Sequence, residues 1–231
     1  MVSPHPGPGL ASRASPRAAG RAPEVVVKIC GVRDPEGAAA VEASGADFAG
    51  LLFVPGRRRA LDLGRARAVR ARLERARPVG VFLDAPPEVV EETAAELGLT
   101  WIQLHGREPP GYARRLTQVG LRIVRALSLS GAPPSRAALA AHEPYVEVFL
   151  VDGENPGSGT LVDDEALGVD PATLTARPVW LAGGLTPDNV QARLRRTGAR
   201  GVDVASGVER DGALDPARVH AFVARAKGHR P

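Results

Sequence analysis

Residues 25–37 read VVVKICGVRDPEG. A β-branched run, broken once by Lys28, ends at Cys30 and Gly31, and Pro35 then suits the first turn of a helix. That is the opening of a βα unit. A doubly wound open sheet would usually carry a phosphate-binding glycine signature at this first turn, and CGVRDPEG lacks the G-x-G-x-x-G spacing. The stretch therefore favours the other parallel architecture, a closed barrel.

Outward from it the same rhythm repeats. Strand candidates are VVVKIC (25–30), FAGLLF (48–53), VGVFL (79–83), WIQLH (101–105), RIVRAL (122–127), VEVFLVD (146–152), VWLAG (179–183) and GVDVAS (201–206). Between them lie Ala-, Leu-, Arg- and Glu-rich stretches such as DLGRARAVRARLERA and PPEVVEETAAELG, with apolar residues three and four apart. Pro86 and Pro187 suit first helical turns and Gly98 a helix stop. Eight strands, each followed by a helical segment, predict an α/β fold: a single-domain (β/α)8 barrel, or TIM barrel, over residues 24–231. The folded part is near the lower size limit of that fold, about 200 residues, and leaves no room for a second domain.

Residues 1–23 are rich in Pro, Gly, Ala and Arg and predict a disordered tail, because they offer too little apolar surface to offset the entropy of ordering. Arg and Ser without acids also suit an organellar transit peptide. The formal charge of +4 invites a nucleic-acid partner, but Arg13, Arg17 and Arg21 lie in the tail and leave the rest at about +1. Aromatic residues make up 4% of the chain and no basic stretch is interleaved with them, so no nucleic acid is expected. No apolar run approaches the roughly 20 residues that span a bilayer, and no membrane association is expected. One cysteine and no zinc-ligand spacing predict a reducing, cytoplasmic setting.

In such barrels chemistry gathers at the C-terminal ends of the strands. Cys30, Arg57 to Arg59, Gln103, His105, Asp152, Gly183, Gly184, Asp203, Ser206 and Gly207 all fall there. LAGGLTPDN and DVASGVE follow strands seven and eight, where glycines allow close backbone approach and exposed N–H groups suit an anion. Together the two loops point to a phosphate. Cys30 and Asp152 are the groups with proton-transfer chemistry: a thiol with a modestly lowered pKa acts as a base, and a carboxyl group in a partly apolar mouth as an acid. The plainer alternatives are a small buried hydrophobe for Cys30 and a turn residue for Asp152, within DGENPGSG. An arginine of PGRRRALD can hold a carboxylate by a bidentate pair.

VKICGV, GLLFVPGRRRALD, VGVFLD, IQLHG, VDGENPGSGT, LAGGLTPDNV and GVDVASGVE, in this order, resemble the phosphoribosylanthranilate isomerase family of tryptophan biosynthesis, from about Val25 to Ala226. The resemblance implies an Amadori rearrangement of a small phosphorylated substrate without cofactor or metal, by a monomer or homodimer. By match to the family's motifs, Asp152 would be the general acid and Cys30 the general base. Arg59 would pair with the anthranilate carboxylate, Gln103, His105 and Asp203 would line the substrate site, and Gly183, Gly184, Ser206 and Gly207 would hold the phosphate.

Two departures stand out. The family usually has Ser-Pro where this chain has Arg57 and Arg58, so all three arginines are candidates for the carboxylate. It also tends to carry an aromatic residue and a tryptophan where this chain reads GTLVDDEAL, with Val162 and Asp164. Alternative readings are a related isomerase of histidine biosynthesis, an isomerase of a substituted anthranilate in a specialised pathway, and a non-catalytic phosphate-ligand binder. An aspartate is expected at position 30 in the first, and Cys30 and Asp152 are unnecessary in the last.

Overall fold

The computed structural model describes residues 24–128, 136–152 and 175–228. Eight parallel strands close into one barrel in sequence order: β1 (Val26–Cys30), β2 (Phe48–Leu52), β3 (Arg77–Phe82), β4 (Trp101–Leu104), β5 (Arg122–Ser128), β6 (Val148–Asp152), β7 (Val179–Leu181) and β8 (Gly201–Val204). Pairing of β1 with β8, through Lys28 opposite Asp203, completes the closure. All eight expected strands are present, most of them trimmed by a residue or two, while β3 begins two residues earlier and β5 ends one residue later than expected. The tail and the altered GTLVDDEAL stretch lie outside the described residues, as does everything expected of residues 153–174.

Among the described residues seven α-helices flank the barrel: α1 (Pro35–Ser44), α2 (Leu63–Arg70), α3 (Pro87–Leu97), α4 (Pro110–Gln118), α5 (Arg136–His142), α6 (Val190–Thr197) and α7 (Pro216–Ala226). Their ends follow local chemistry. Asp34, Asp62 and Asp215 cap α1, α2 and α7 by accepting from the backbone N–H three residues on. Gly98, at φ 61°, ends α3. None of these helices is long and apolar enough to cross a membrane.

Three features depart from the sequence reading. The helical pattern of residues 62–76 stops at Arg70 because Glu42 of α1 accepts from the successive backbone N–H groups of Glu74, Arg75 and Ala76 and draws that segment out of helix. Pro187 lies in a turn before α6, closed by the N–H groups of Asn189 and Val190 donating to Thr186 O, so the helix begins at Val190. A two-stranded hairpin, β9 (Glu209–Arg210) with β10 (Ala213–Leu214), follows β8 and is too short to leave a periodic signal.

Strand alternation sorts the side chains into two sets. Outward residues such as Val27, Ile29 and Leu51 pack against the helices in the larger cluster. Inward residues form a second core of Val26, Phe48, Val79, Trp101, Val124, Val148, Leu150 and Trp180. The Phe48 ring meets Trp101 edge-on at 5.0 Å and Trp180 at 5.3 Å, plugging the end where the strands begin. The same inward alternation carries Lys28, Cys30, Gln103, Asp152 and Asp203 toward the opposite end.

Candidate active site

Above the aromatic plug a cavity of about 410 Å³ opens at the C-terminal mouth. Its lining includes all twelve residues singled out at the strand ends, Cys30, Arg57 to Arg59, Gln103, His105, Asp152, Gly183, Gly184, Asp203, Ser206 and Gly207. That size suits a small metabolite.

The wall formed by the loops after β7 and β8 is held by backbone contacts. Gly183 and Gly184 adopt φ of 78° and 61°. Asn189 then pins the loop, accepting from Thr186 N at 2.8 Å and donating to Gly184 O at 2.9 Å. A Cβ on Gly207 would run into the carbonyl oxygen of Leu185, so only glycine lets the second loop reach the first. Ser206–Val208 forms one 3-10 turn there.

Cys30 ends β1 on the neighbouring wall, above Lys28. The Lys28 ammonium is fully buried and lies 2.9 Å from Asp203 Oδ1. Burial works to lower the Lys28 pKa, yet Asp203 and Cys30 hold it above its ordinary value. Burial outweighs the opposing pull of Lys28 and holds the Cys30 thiol above its ordinary pKa, where the sequence reading expected a modest lowering.

Asp152, buried at the end of β6, faces His105 with Oδ2 3.6 Å from Nε2, beyond hydrogen-bond range. Burial, followed by the positive charges of Lys28, Arg125 and Arg57, lowers the His105 pKa to about 4. The imidazole is therefore neutral near pH 7, and it is no counter-ion for Asp152. Gln103 Nε2 lies 2.8 Å from His105 Nδ1; an amide donor there leaves the ring proton on Nε2, toward Asp152. Gln103 Oε1 is buried and has no hydrogen-bond partner among the described residues. His105 is expected to titrate in the folded protein with a midpoint near pH 4, well below the 6.5 of a free histidine, read from the shift of its ring protons by NMR. Because the folded pKa lies below the unfolded one, the penalty on folding is absent above pH 6.5 and grows as pH falls toward 4. A midpoint near 6.5 would show the ring to be open to water.

Arg59 donates Nε and Nη2 to the two oxygens of Glu209, at 2.6 and 2.8 Å. Arg58 joins the same carboxylate at 2.6 Å and also donates to Gly212 O, tying the loop after β2 to the β9–β10 hairpin. Burial works to raise the Glu209 pKa, but the bonds from Arg59 and Arg58 hold it below the ordinary carboxylate range. One edge of Arg59 is thus taken by Glu209, and the residue also lines the cavity. Arg57 also lines the cavity and makes no ion pair among the described residues.

Three contributors escaped the sequence reading. Lys28 left a signal, since a residue two before Cys30 in a strand shares its face. Glu209 stood inside a quoted motif with nothing local to connect it to an arginine 150 positions away. The buried Arg125, which bonds Glu108 at 2.5 Å and Gly106 O at 2.8 Å, secures the loop beyond His105 and is paired only by the fold.

Fold and mouth define the class: a (β/α)8-barrel enzyme with its polar site at the C-terminal face. The family model for N-(5'phosphoribosyl)anthranilate (PRA) isomerase matches residues 27–225, and this chain belongs to that family. An N-(5'-phosphoribosyl)anthranilate isomerase of Eremothecium gossypii is 42% identical over 210 residues, covering 88% of this chain and 99% of its own. The crystal structure of phosphoribosyl anthranilate isomerase from Thermus thermophilus superposes with a TM-score of 0.76 at 35% identity, covering 87% of this chain and 97% of the other. A further phosphoribosyl anthranilate isomerase, solved in complex with reduced 1-(o-carboxyphenylamino)-1-deoxyribulose 5-phosphate, matches with a TM-score of 0.74 at 30% identity, covering 88% and 99%.

Proposed function

We propose that this chain catalyses the Amadori rearrangement of N-(5'-phosphoribosyl)anthranilate to 1-(2-carboxyphenylamino)-1-deoxyribulose 5-phosphate, in tryptophan biosynthesis, with residues 24–231 as the catalytic barrel. The observation that carries the reading is the content of one cavity: a glycine-lined wall for an anion, arginines on another wall, and a thiol and a carboxyl group at the same mouth.

The phosphate rests on the backbone of Gly183, Gly184, Ser206 and Gly207. Arg59, steadied along one edge by Glu209, offers its remaining N–H groups to the anthranilate carboxylate, and a guanidinium held this way loses little freedom on binding. Asp152 gives its proton to the ribose ring oxygen as the C1–O bond breaks, and the nitrogen lone pair forms the C1=N bond of the Schiff base. Cys30 as thiolate takes the C2 proton. The C2–H electrons become the C1=C2 bond, the C1=N pair returns to nitrogen, and the resulting enolamine tautomerises to the 2-ketone as C1 gains a proton. Gln103 Oε1 is available to a sugar hydroxyl, and neutral His105 lies alongside without adding charge. With this reading go a cytoplasmic setting and a monomer or homodimer.

The test is loss of anthranilate-type fluorescence when purified protein is added to substrate generated in situ. Rapid decay is expected. Absence of decay at micromolar enzyme, with the reduced product analogue still bound, would overturn the reading in favour of a ligand binder.

A further inference from the structure

Lys28 is fully buried beside Cys30 and takes no part in the proton transfers above. Two residues apart on β1, the two side chains share the inward face. A Cβ placed on Gly50 of β2, the residue paired with Cys30, would meet Cys30 Sγ at 2.9 Å and Lys28 Nζ at 3.1 Å. Thiol and ammonium therefore converge on the bare backbone of one glycine. Asp203, opposite Lys28 on β8, holds the ammonium there at 2.9 Å.

We infer that Lys28 is a positioning residue for the base: its ammonium, seated against Gly50 by Asp203, orients the Cys30 sulfur and stabilises it as thiolate. The inference rests on the reading of Cys30 as the base. A fully buried charge at a strand interior is costly, and one counter-ion makes it tolerable without explaining why a lysine stands there at all. A thiolate two positions along the strand supplies the reason.

The charged groups around the thiol are Lys28 on its own strand, Asp203 on β8 and Arg59 from the loop after β2, the last already bonded to Glu209; Asp152 and neutral His105 line the same cavity. Burial raises the thiol pKa most, Lys28 lowers it, Asp203 raises it and Arg59 lowers it. The signs make Lys28 and Asp203 opposites. Without the ammonium the thiol titrates higher; without the Asp203 carboxylate it titrates lower, with Lys28 left to the thiolate. A packing role alone would move both variants the same way or neither.

Cys30 is the only cysteine, so alkylation of the whole chain by iodoacetamide, followed by mass, reads this one thiol. At pH 8, Lys28→Met is expected to react at least about tenfold more slowly than wild type and Asp203→Asn about tenfold faster, the change in thiolate fraction for one pKa unit. The acid limb of kcat/KM for Lys28→Met should move to higher pH by the same amount. Equal alkylation rates in a folded Lys28→Met, or both variants shifting together, would overturn the inference. If Lys28→Met does not fold, Asp203→Asn decides: acceleration supports it, and an unchanged or slower rate overturns it. Wild-type turnover is read separately, so a protein silent toward the substrate yet showing these alkylation shifts condemns the catalytic reading and not the coupling of Lys28 to the thiol.

Discussion

Cys30→Ala and Asp152→Asn are each expected to slow turnover of N-(5'-phosphoribosyl)anthranilate by about a hundredfold to ten-thousandfold, the range for losing a positioned acid or base. Neither change should unfold the chain. Cys30 sits half-buried at the end of β1, and alanine removes one sulfur while keeping the Cβ. Asp152→Asn is isosteric, retains hydrogen-bonding capacity and removes the acid. Near neutral pH His105 offers no charge that would be stranded by that change. Single-turnover fluorescence measures the loss, and circular dichroism with binding of the reduced product analogue separates lost chemistry from lost structure. Full activity in either variant would exclude that residue from its role. In Cys30→Asp, a carboxylate base should displace the acid limb of kcat/KM, and an unchanged profile would point to another base.

The second large effect is expected from Gly207→Ala. The added methyl would meet the backbone carbonyl oxygen of Leu185, which cannot swing aside as a side-chain terminus can. The loops after β7 and β8 must then part, although Asn189 braces the first from both sides. Overpacking of this kind costs about 1–3 kcal/mol, which lowers Tm by several degrees in a chain of this size. Because the backbone donors proposed for the phosphate sit on both loops, KM should rise at least about tenfold at the same time. Gly111→Ala, where an added Cβ meets nothing within 4 Å, is the control and should leave KM unchanged and Tm unchanged or slightly raised, since the position is helical. A Gly207→Ala protein with wild-type Tm and KM would show that the contact between the loops is dispensable.

The eight strands were legible because each carries its signal locally: an apolar β-branched run, a breaker after it and a helical pattern beyond. Their count, with no dinucleotide fingerprint at GVRDPEG, was enough to choose the barrel, and the C-terminal-end rule for barrels then brought Cys30, Asp152, Asp203 and the paired glycines into one list. The helical reading of residues 71–76 failed for a non-local reason, since Glu42 of α1 captures three backbone N–H groups that an isolated segment would have left to its own helix. Pro187 misled because a proline suits a turn as well as a first helical turn.

Local residue patterns settle the fold class, the wall on which each chemical group stands and, through the motifs, the family. Periodicity and breaker residues act over a few positions, and a parallel barrel turns that local order directly into a ring of strand ends. The tertiary structure alone decided which groups are joined. Lys28 and Asp203 are 175 positions apart, and Arg59 and Glu209 are 150 apart. Both pairs exist because closure sets β8 beside β1 and brings the segment after β8 against the loop after β2, and burial then makes a partner obligatory for each charge. All three arginines of PGRRRALD line the cavity, but the fold pairs Arg58 and Arg59 with Glu209 and not Arg57, a division no local pattern encodes because the carboxylate responsible comes from the other end of the chain.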